Sequence, residues 1–334
     1  MAAFPGRIDE EQTRPPIKEK ERKLIYALVE DSRQPLTAIA KRLRISKDSA
    51  HYLFEKLQDD GVIAHLSPLV DLECFGYHTY HAFFVINDAN KQRRDAFLDA
   101  LCAHPHTKGV MEYSDRWEAK WTLVARTVQE FDTILMRLTT DYSDVITEKT
   151  KLAVIQGYKS TTLAERTTRE HKTRKTCDVD AQDAALLDAL HTDGRASSYA
   201  LAKQLDLSAN TIRYRLKNLE EANVIRGYSA TINLNALGYH LYTVGVIFKS
   251  LSQQQEAKLK TFLAQERFVI RAVKVLGHWD LLLTILADNV KHFHRTIKAF
   301  DDTFSDIIVN YEALIAYRER IYKYVPDVVL TSFK

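Results

Sequence analysis

Between residues 20 and 57 the apolar positions recur at helical spacing. Leu24, Ala27 and Leu28 share one face of KERKLIYALVED, and Leu36 to Leu43 makes a second short helix. Ser46 stands as the N-cap of a third helix that buries Ala50, Phe54 and Leu57. Gly61-Val62-Ile63 then leads into alternating residues that predict a wing. Beyond residue 79 the rhythm changes. It predicts a strand over 80–86, a helix over 91–102, strands over 107–113 and 119–126, a helix over 128–140 and a strand over 145–155. A βαββαβ order gives a four-stranded antiparallel sheet with both helices on one face, the ferredoxin-like arrangement.

The same pattern then starts again. Sliding the chain by 162 residues lays Leu24, Arg33, Ala40, Leu43, Ser46, Tyr52 and Leu57 on Leu186, Arg195, Ala202, Leu205, Ser208, Tyr214 and Leu219 without a gap. Val62-Ile63 meets Val224-Ile225, Gly76-Tyr77-His78 meets Gly238-Tyr239-His240, Trp117 meets Trp279, and Phe131 meets Phe293. The chain is therefore read as an α+β fold of two tandem units. Each is a winged helix-turn-helix followed by a ferredoxin-like regulatory domain, the second spanning 241–317. The expected division is a mobile tail (1–18), a first head (19–72), a first regulatory domain (76–156), a linker (157–178), a second head (179–234) and a second regulatory domain (238–325). The linker carries Lys159, Arg166, Arg169, Lys172, Arg174 and Lys175 against Glu165 and Glu170, read as a solvated segment rather than a DNA-contacting arm. One face of each sheet is left bare and apolar, which predicts that the two sheets pack face to face inside one chain.

In the second unit the short helix AKQLDL precedes a helix from Ser208 to Glu221. Ile212, Leu216 and Leu219 form its buried stripe, and Ser208 is its N-cap. Asn210, Arg213, Tyr214 and Lys217 project the other way, as a recognition helix requires, because arginine suits guanine and asparagine suits adenine in the major groove. Arg215 lies at the edge of the buried stripe, where a phosphate contact or a structural role fits better than base reading. An amphipathic helix with a solvated basic face is the plainer alternative for the segment. In the first unit the outward positions become Asp48, His51, Tyr52 and Glu55, and Arg215 becomes Leu53. Carboxylates repel phosphate, so the first head is expected to be weakened or repurposed.

A formal charge of +3 is close to neutral, so nucleic-acid binding rests on this local patch and not on net charge. Cys74, Cys102 and Cys177 lie far apart without CxxC spacing, which supports neither a disulfide framework nor a cysteine metal site. His104-Pro105-His106 and His292-Phe293-His294 have no acidic or cysteine partners nearby to complete a metal set. No Walker loop, GxGxxG or GxSxG is present, so no catalytic residue and no cofactor is assigned. No apolar run has membrane-spanning length and the N-terminus lacks a signal-peptide core, which predicts a cytoplasmic protein that does not engage a membrane.

A winged helix-turn-helix followed by a ferredoxin-like domain resembles the Lrp/AsnC (feast/famine) transcription regulators. The second copy carries the closer match, in Leu207-Ser208, Thr211-Ile212, Arg215-Leu216, Leu219-Glu220, Val224-Ile225, Gly227-Tyr228, Asn233 and Gly238-Tyr239. Gly277-His278-Trp279-Asp280 fits the family's GxxD turn, whereas the first copy has Asp115 and Glu118 at those ends. The resemblance implies a regulator of double-stranded DNA, answering to a small-molecule effector such as an amino acid. Its DNA candidates are Ser208, Asn210, Thr211, Arg213, Tyr214, Arg215 and Lys217. Its effector candidates are Gly277, where glycine lets a ligand approach the backbone, and Asp280; a simple turn and cap is the alternative there. The duplication would make one chain a covalent pseudo-dimer, with a homo-oligomer expected so that two competent heads can read a palindrome. Two other readings share the architecture: a siroheme decarboxylase, and a sensor that does not bind DNA. The histidine-tyrosine-arginine pattern associated with those enzymes is not found between the second and third strands, where EYSDRWEAKW and KVLGHWDLLL stand.

Overall fold

The computed structural model describes residues 6–7, 17–87, 89–160 and 179–331. In chain order the first unit comprises β1 (Gly6–Arg7), α1 (Glu19–Glu30), α2 (Leu36–Leu43), α3 (Lys47–Asp59), β2 (Ile63–Val70), β3 (His78–Ile86), α4 (Lys91–Ala103), β4 (Thr107–Tyr113), β5 (Ala119–Ala125), α5 (Val128–Asp141) and β6 (Ile146–Ser160). The second comprises α6 (Ala181–Thr192), α7 (Ser198–Leu205), α8 (Ala209–Glu221), β7 (Ile225–Asn233), β8 (His240–Phe248), α9 (Gln253–Gln265), β9 (Val269–Gly277), β10 (Leu281–Ala287), α10 (Val290–Phe304), β11 (Ile308–Tyr322) and α11 (Asp327–Thr331). The repeat is thus visible element by element. Most of the tail and the linker's residues 161–178 lie outside the described residues. Within the tail, however, Gly6 and Arg7 pair in parallel with Ile232 and Asn233, and residues 157–160 continue β6 instead of starting a linker.

Caps set the helix starts in the heads. Ser46 and Ser208 accept hydrogen bonds from the Ser49 and Thr211 amides at 3.1 and 3.0 Å, supplying acceptors to otherwise orphan first-turn donors. The turn before each recognition helix runs through a left-handed residue, Arg44 in one head and Asp206 in the other.

The strands expected as wings do something else. Each head supplies a single strand at this place, and β2 and β7 pair antiparallel with each other, Ser67 opposite Ser229. A lone strand leaves its backbone groups open, and the counterpart strand of the twin head satisfies them. The heads are cross-braced accordingly: α1 packs on β7 and α6 on β2. Arg33 donates to the carbonyls of Gly194 and Ala196 at 3.2 and 3.0 Å, while Arg195 donates to those of Ser32 and Gln34. The Ser32 amide meets the Tyr228 carbonyl, and the Gly194 amide meets that of Leu66. Residue i touching j while the equivalent of i touches the equivalent of j is the signature of a two-fold interface. Here that interface joins two halves of one chain.

The regulatory sheets differ from the expected stack. Strand orders β4-β5-β3-β6 and β9-β10-β8-β11 are each ferredoxin-like, but β6 pairs with β9 and β11 with β4, closing one eight-stranded barrel. The bare faces do meet, as the inside of this barrel, and the free edges are removed at the same time. Strand length explains it. β6 and β11 are 15 residues long, and each spends its first half on its own unit and its second half on the other. Helices α4 and α5 cover the first half from outside and α9 and α10 the second, each over its own apolar cluster. Trp117 and Trp279, each 1% exposed, lie in the shared interior with ring centroids 6.1 Å apart. Tyr324, Val325 and Val329 return to complete the second head's core, an addition that the sequence pattern did not indicate. Among the described residues no helix is long and apolar enough to cross a membrane.

Candidate nucleic-acid interface

Helix α8 buries Ile212, Leu216 and Leu219 in the second head. Asn210, Arg213, Tyr214 and Lys217 occupy i, i+3, i+4 and i+7, and all four side chains are exposed. Tyr214 is 67% exposed and therefore pads no core. Arg213 donates to the Asn210 side-chain oxygen and to the Ala209 carbonyl, which holds the two polar groups together on the outer face. Lys217 lies 3.7 Å from Glu221 in a fully solvated pair, too weak to sequester the ammonium. Ser208 and Thr211 are engaged in the cap, their hydroxyls 2.8 Å apart.

Arg215 is placed differently from the others. Its guanidinium donates to the Asp180 and Asp183 carboxylates at 2.9 and 2.8 Å and to the Gln182 side chain, tying α8 to the first turn of α6. Asp183 is buried and also closes the α6 capping box. Arg215→Ala should lower the stability of this head by about 1–3 kcal/mol, because a nearly buried carboxylate loses its partner. The check is thermal unfolding, alongside a salt titration of DNA binding whose slope should stay unchanged.

In the first head the matching face shows Asp48, His51, Tyr52 and Glu55, all exposed. Lys56 is no substitute for the missing cations, since Glu21 at 2.7 Å and Asp60 at 3.3 Å hold it. The pair of heads is therefore geometrically near-symmetric and electrically lopsided. Sequence reasoning missed Tyr199 on α7, 77% exposed in the second head. It also missed the Arg33–Arg195 brace, whose only signal was an arginine repeated at the same place in both copies.

The turn between the second and third strands of each regulatory half is built in both copies. Asp280 accepts the Phe248 amide at 2.8 Å, and Glu118 accepts the equivalent Ile86 amide at 2.5 Å, so the longer side chain reproduces the contact. Gly277 has φ +146°, and a Cβ there would lie 2.2 Å from the Lys151 carbonyl oxygen on β6. Its counterpart Asp115 instead accepts the Ile315 amide at 2.6 Å from β11. Gly277 is thus accounted for by the seam that β9 makes with β6, and Asp280 by its contact with β8 within its own unit. Elsewhere, His292 pairs with Asp288 at 2.8 Å. No group of three or more His, Cys, Asp or Glu able to hold a metal gathers among the described residues.

Comparison with known proteins matches these geometries. Residues 17–64 fit a winged helix-turn-helix DNA-binding profile and residues 184–228 a helix-turn-helix domain profile. The leucine-responsive regulatory protein of Rhizobium meliloti (strain 1021) is 40% identical over 119 residues, 35% of this chain and 75% of that protein. This chain belongs to the Lrp/AsnC family. A second Lrp/AsnC-type relative, the proline dehydrogenase transcriptional activator of Rhizobium radiobacter, is 28% identical over 124 residues, 37% of this chain and 80% of that one. Both matches are shorter than one 162-residue repeat, so each relative corresponds to a single copy of the unit that this family member carries twice. The crystal structure of the siroheme decarboxylase NirDL superposes with a TM-score of 0.61 at 14% identity, covering 94% of this chain and 97% of that one. That likeness shows the fold alone: two such units joined in one chain.

Proposed function

We propose that this Lrp/AsnC protein is a sequence-specific regulator of transcription that reads double-stranded DNA chiefly through α8. The observation that carries the reading is the exposed stripe of Asn210, Arg213, Tyr214 and Lys217, set against Asp48, His51 and Glu55 on the twin helix. Basic side chains on the outer face release condensed counterions from DNA, and arginine and asparagine can address base edges. Ser208 and Thr211 cap the helix next to the phosphates, and Arg215 holds it in place. One competent head per chain means that a palindromic operator takes two chains, so the working species is a homo-oligomer of intramolecular pseudo-dimers. A small-molecule effector such as an amino acid tunes the response. The protein acts in the cytoplasm, where the DNA is.

The test is a mobility shift on DNA upstream of the protein's own coding region across a salt series, with and without amino acids. A shift that weakens steeply with salt is expected; its absence at low salt would remove the regulator reading. An enzyme of the same architecture is the second reading, because a decarboxylase shares the fold along the whole chain. Intense visible absorbance on mixing with siroheme, without any DNA shift, would put that reading first.

A further inference from the structure

The two seams that close the barrel keep one register but not one set of charges. Arg318 on β11 stands opposite Glu112 on β4, and at the equivalent place Gln156 on β6 stands opposite Lys274 on β9. At the first seam Glu112, 1% exposed, accepts hydrogen bonds from Arg320 at 2.7 Å, the Tyr317 hydroxyl at 3.0 Å and Arg94 at 3.4 Å. Arg320 also reaches Asp99 at 3.1 Å and Asp95 at 3.7 Å. At the second seam these charges reverse or vanish. Glu112 becomes Lys274, Arg94 becomes Glu256, and Tyr317, Arg318 and Arg320 become Ile155, Gln156 and Tyr158. Lys274 lies 3.1 Å from Glu256 of its own unit, which Lys260 also holds at 2.8 Å. The heads carry the same asymmetry. Arg226 of the second head pairs with the buried Asp71 of the first, whereas their counterparts Ala64 and Asn233 are uncharged. Within the barrel Lys120, opposite the inward Phe83 and Met111, is faced electrostatically by Glu319 of the second unit, and Gly157 is the counterpart of Glu319.

We propose that these seam charges restrict pairing to unlike units: a first unit joins a second unit, and each refuses a second copy of itself. The shared register makes the alternatives explicit. Two second units would set β11 against β9, with Arg318 opposite Lys274 and Arg320 beside it, so that three cations meet where the observed seam has a carboxylate. Glu256, already held by two lysines, is the carboxylate nearest to that place on its own unit. Two first units would set β6 against β4, with Gln156 opposite Glu112. Of the partners named for that carboxylate Arg94 would remain, and a nearly buried charge stripped of its partners is costly. Like charges brought together across an interface suppress the wrong partner. A barrel has two seams, so a like pair carries the same fault twice. The Arg33 and Arg195 braces grip backbone carbonyls and are the same in both heads, so they hold a pair without choosing it. The consequence for the heads is that every barrel presents one α3 and one α8, never two α8 helices. This follows from the seams and stands whether or not either head binds DNA.

The test starts from the folded full chain with a protease site inserted within 161–178. The chain is cut, unfolded in urea and refolded with its second half in excess, and native mass spectrometry counts the pairs. Unlike pairs are expected, with second–second pairs rarer by at least about tenfold. The double change Lys274→Glu and Glu256→Arg gives the second unit the seam charges of the first, so a second copy now offers a carboxylate to Arg318 and Arg320. Second–second pairs should then rise at least about tenfold, an effect that loss of a merely structural ion pair would not produce. Abundant second–second pairs from the unaltered halves, or no rise with the double change, would each overturn the proposal. Should the cut chain not refold, the uncut chain decides. As expressed, the double variant should form species heavier by light scattering than the unaltered chain does, because second units of different chains can join, and equal masses would overturn the assignment.

Discussion

Arg213→Ala is expected to lower affinity for a specific operator by about 1–3 kcal/mol, roughly fivefold to more than a hundredfold, and to relax preference at the base pair it faces. Lys217→Ala should weaken specific and non-specific DNA alike and reduce the salt slope by about one counterion. The argument is positional. Both side chains stand on the outer stripe of α8, Arg213 braced by Asn210 and Lys217 solvated, and neither touches the core. The matching changes in the first head, His51→Ala and Glu55→Ala, should leave specific affinity where it was. Replacing Glu55 with lysine should raise non-specific affinity, since a repelling charge becomes an attracting one. Fluorescence anisotropy on operator and scrambled duplexes at two salt concentrations separates the effects. If Arg213→Ala bound the operator normally while Lys47→Ala and Lys56→Ala abolished binding, the first head would be the reader and the assignment would be reversed.

How much of this was legible in the sequence depends on the distance between the partners involved. The stripe Ile212, Leu216 and Leu219 and the cap at Ser208 are local features, and the structure has them as the spacing predicts. The repeat was legible too, because a constant offset survives whatever the fold does. Pairing between distant strands was not. Alternation in 63–70 predicts a half-buried strand, but nothing in those residues says that β7 will lie beside it in place of a hairpin partner. The same limit applies to Gly277, whose neighbour Lys151 belongs to the other unit. Read locally, a glycine in a turn admits a ligand; read across the seam, it admits a strand. Glu118 shows a different limit. Glu118 is one methylene longer than the aspartate of the GxxD turn, yet its carboxylate still reaches the Ile86 amide. Lys120, opposite Phe83, and Arg271, two residues from the inward Val273, escaped notice as inward positions because a charged residue in an alternating segment is ordinarily assigned to the solvent side.

Gly277→Ala is expected to be among the most destabilising single changes in the chain, by about 3 kcal/mol or more from strained backbone and overpacking combined. The left-handed φ already disfavours any side chain. The added Cβ would also lie 2.2 Å from a backbone oxygen and 2.7 Å from the Leu152 Cδ2. A flexible side chain could swing aside, but the Lys151 carbonyl belongs to β6 at the seam with β9, so the barrel itself must open there. Gly238→Ala is the fitting control. Its φ of +76° is also positive, in the milder αL region, yet nothing lies within 4 Å of the new Cβ. The control should therefore cost only the backbone term, about 1–2 kcal/mol. Urea unfolding of both variants gives the comparison, and amide exchange along 269–277 and 152–160 shows whether the seam is what loosens. Equal destabilisation by the two changes would mean that the seam yields easily. A loss of effector response without loss of stability would return Gly277 to a ligand-binding role.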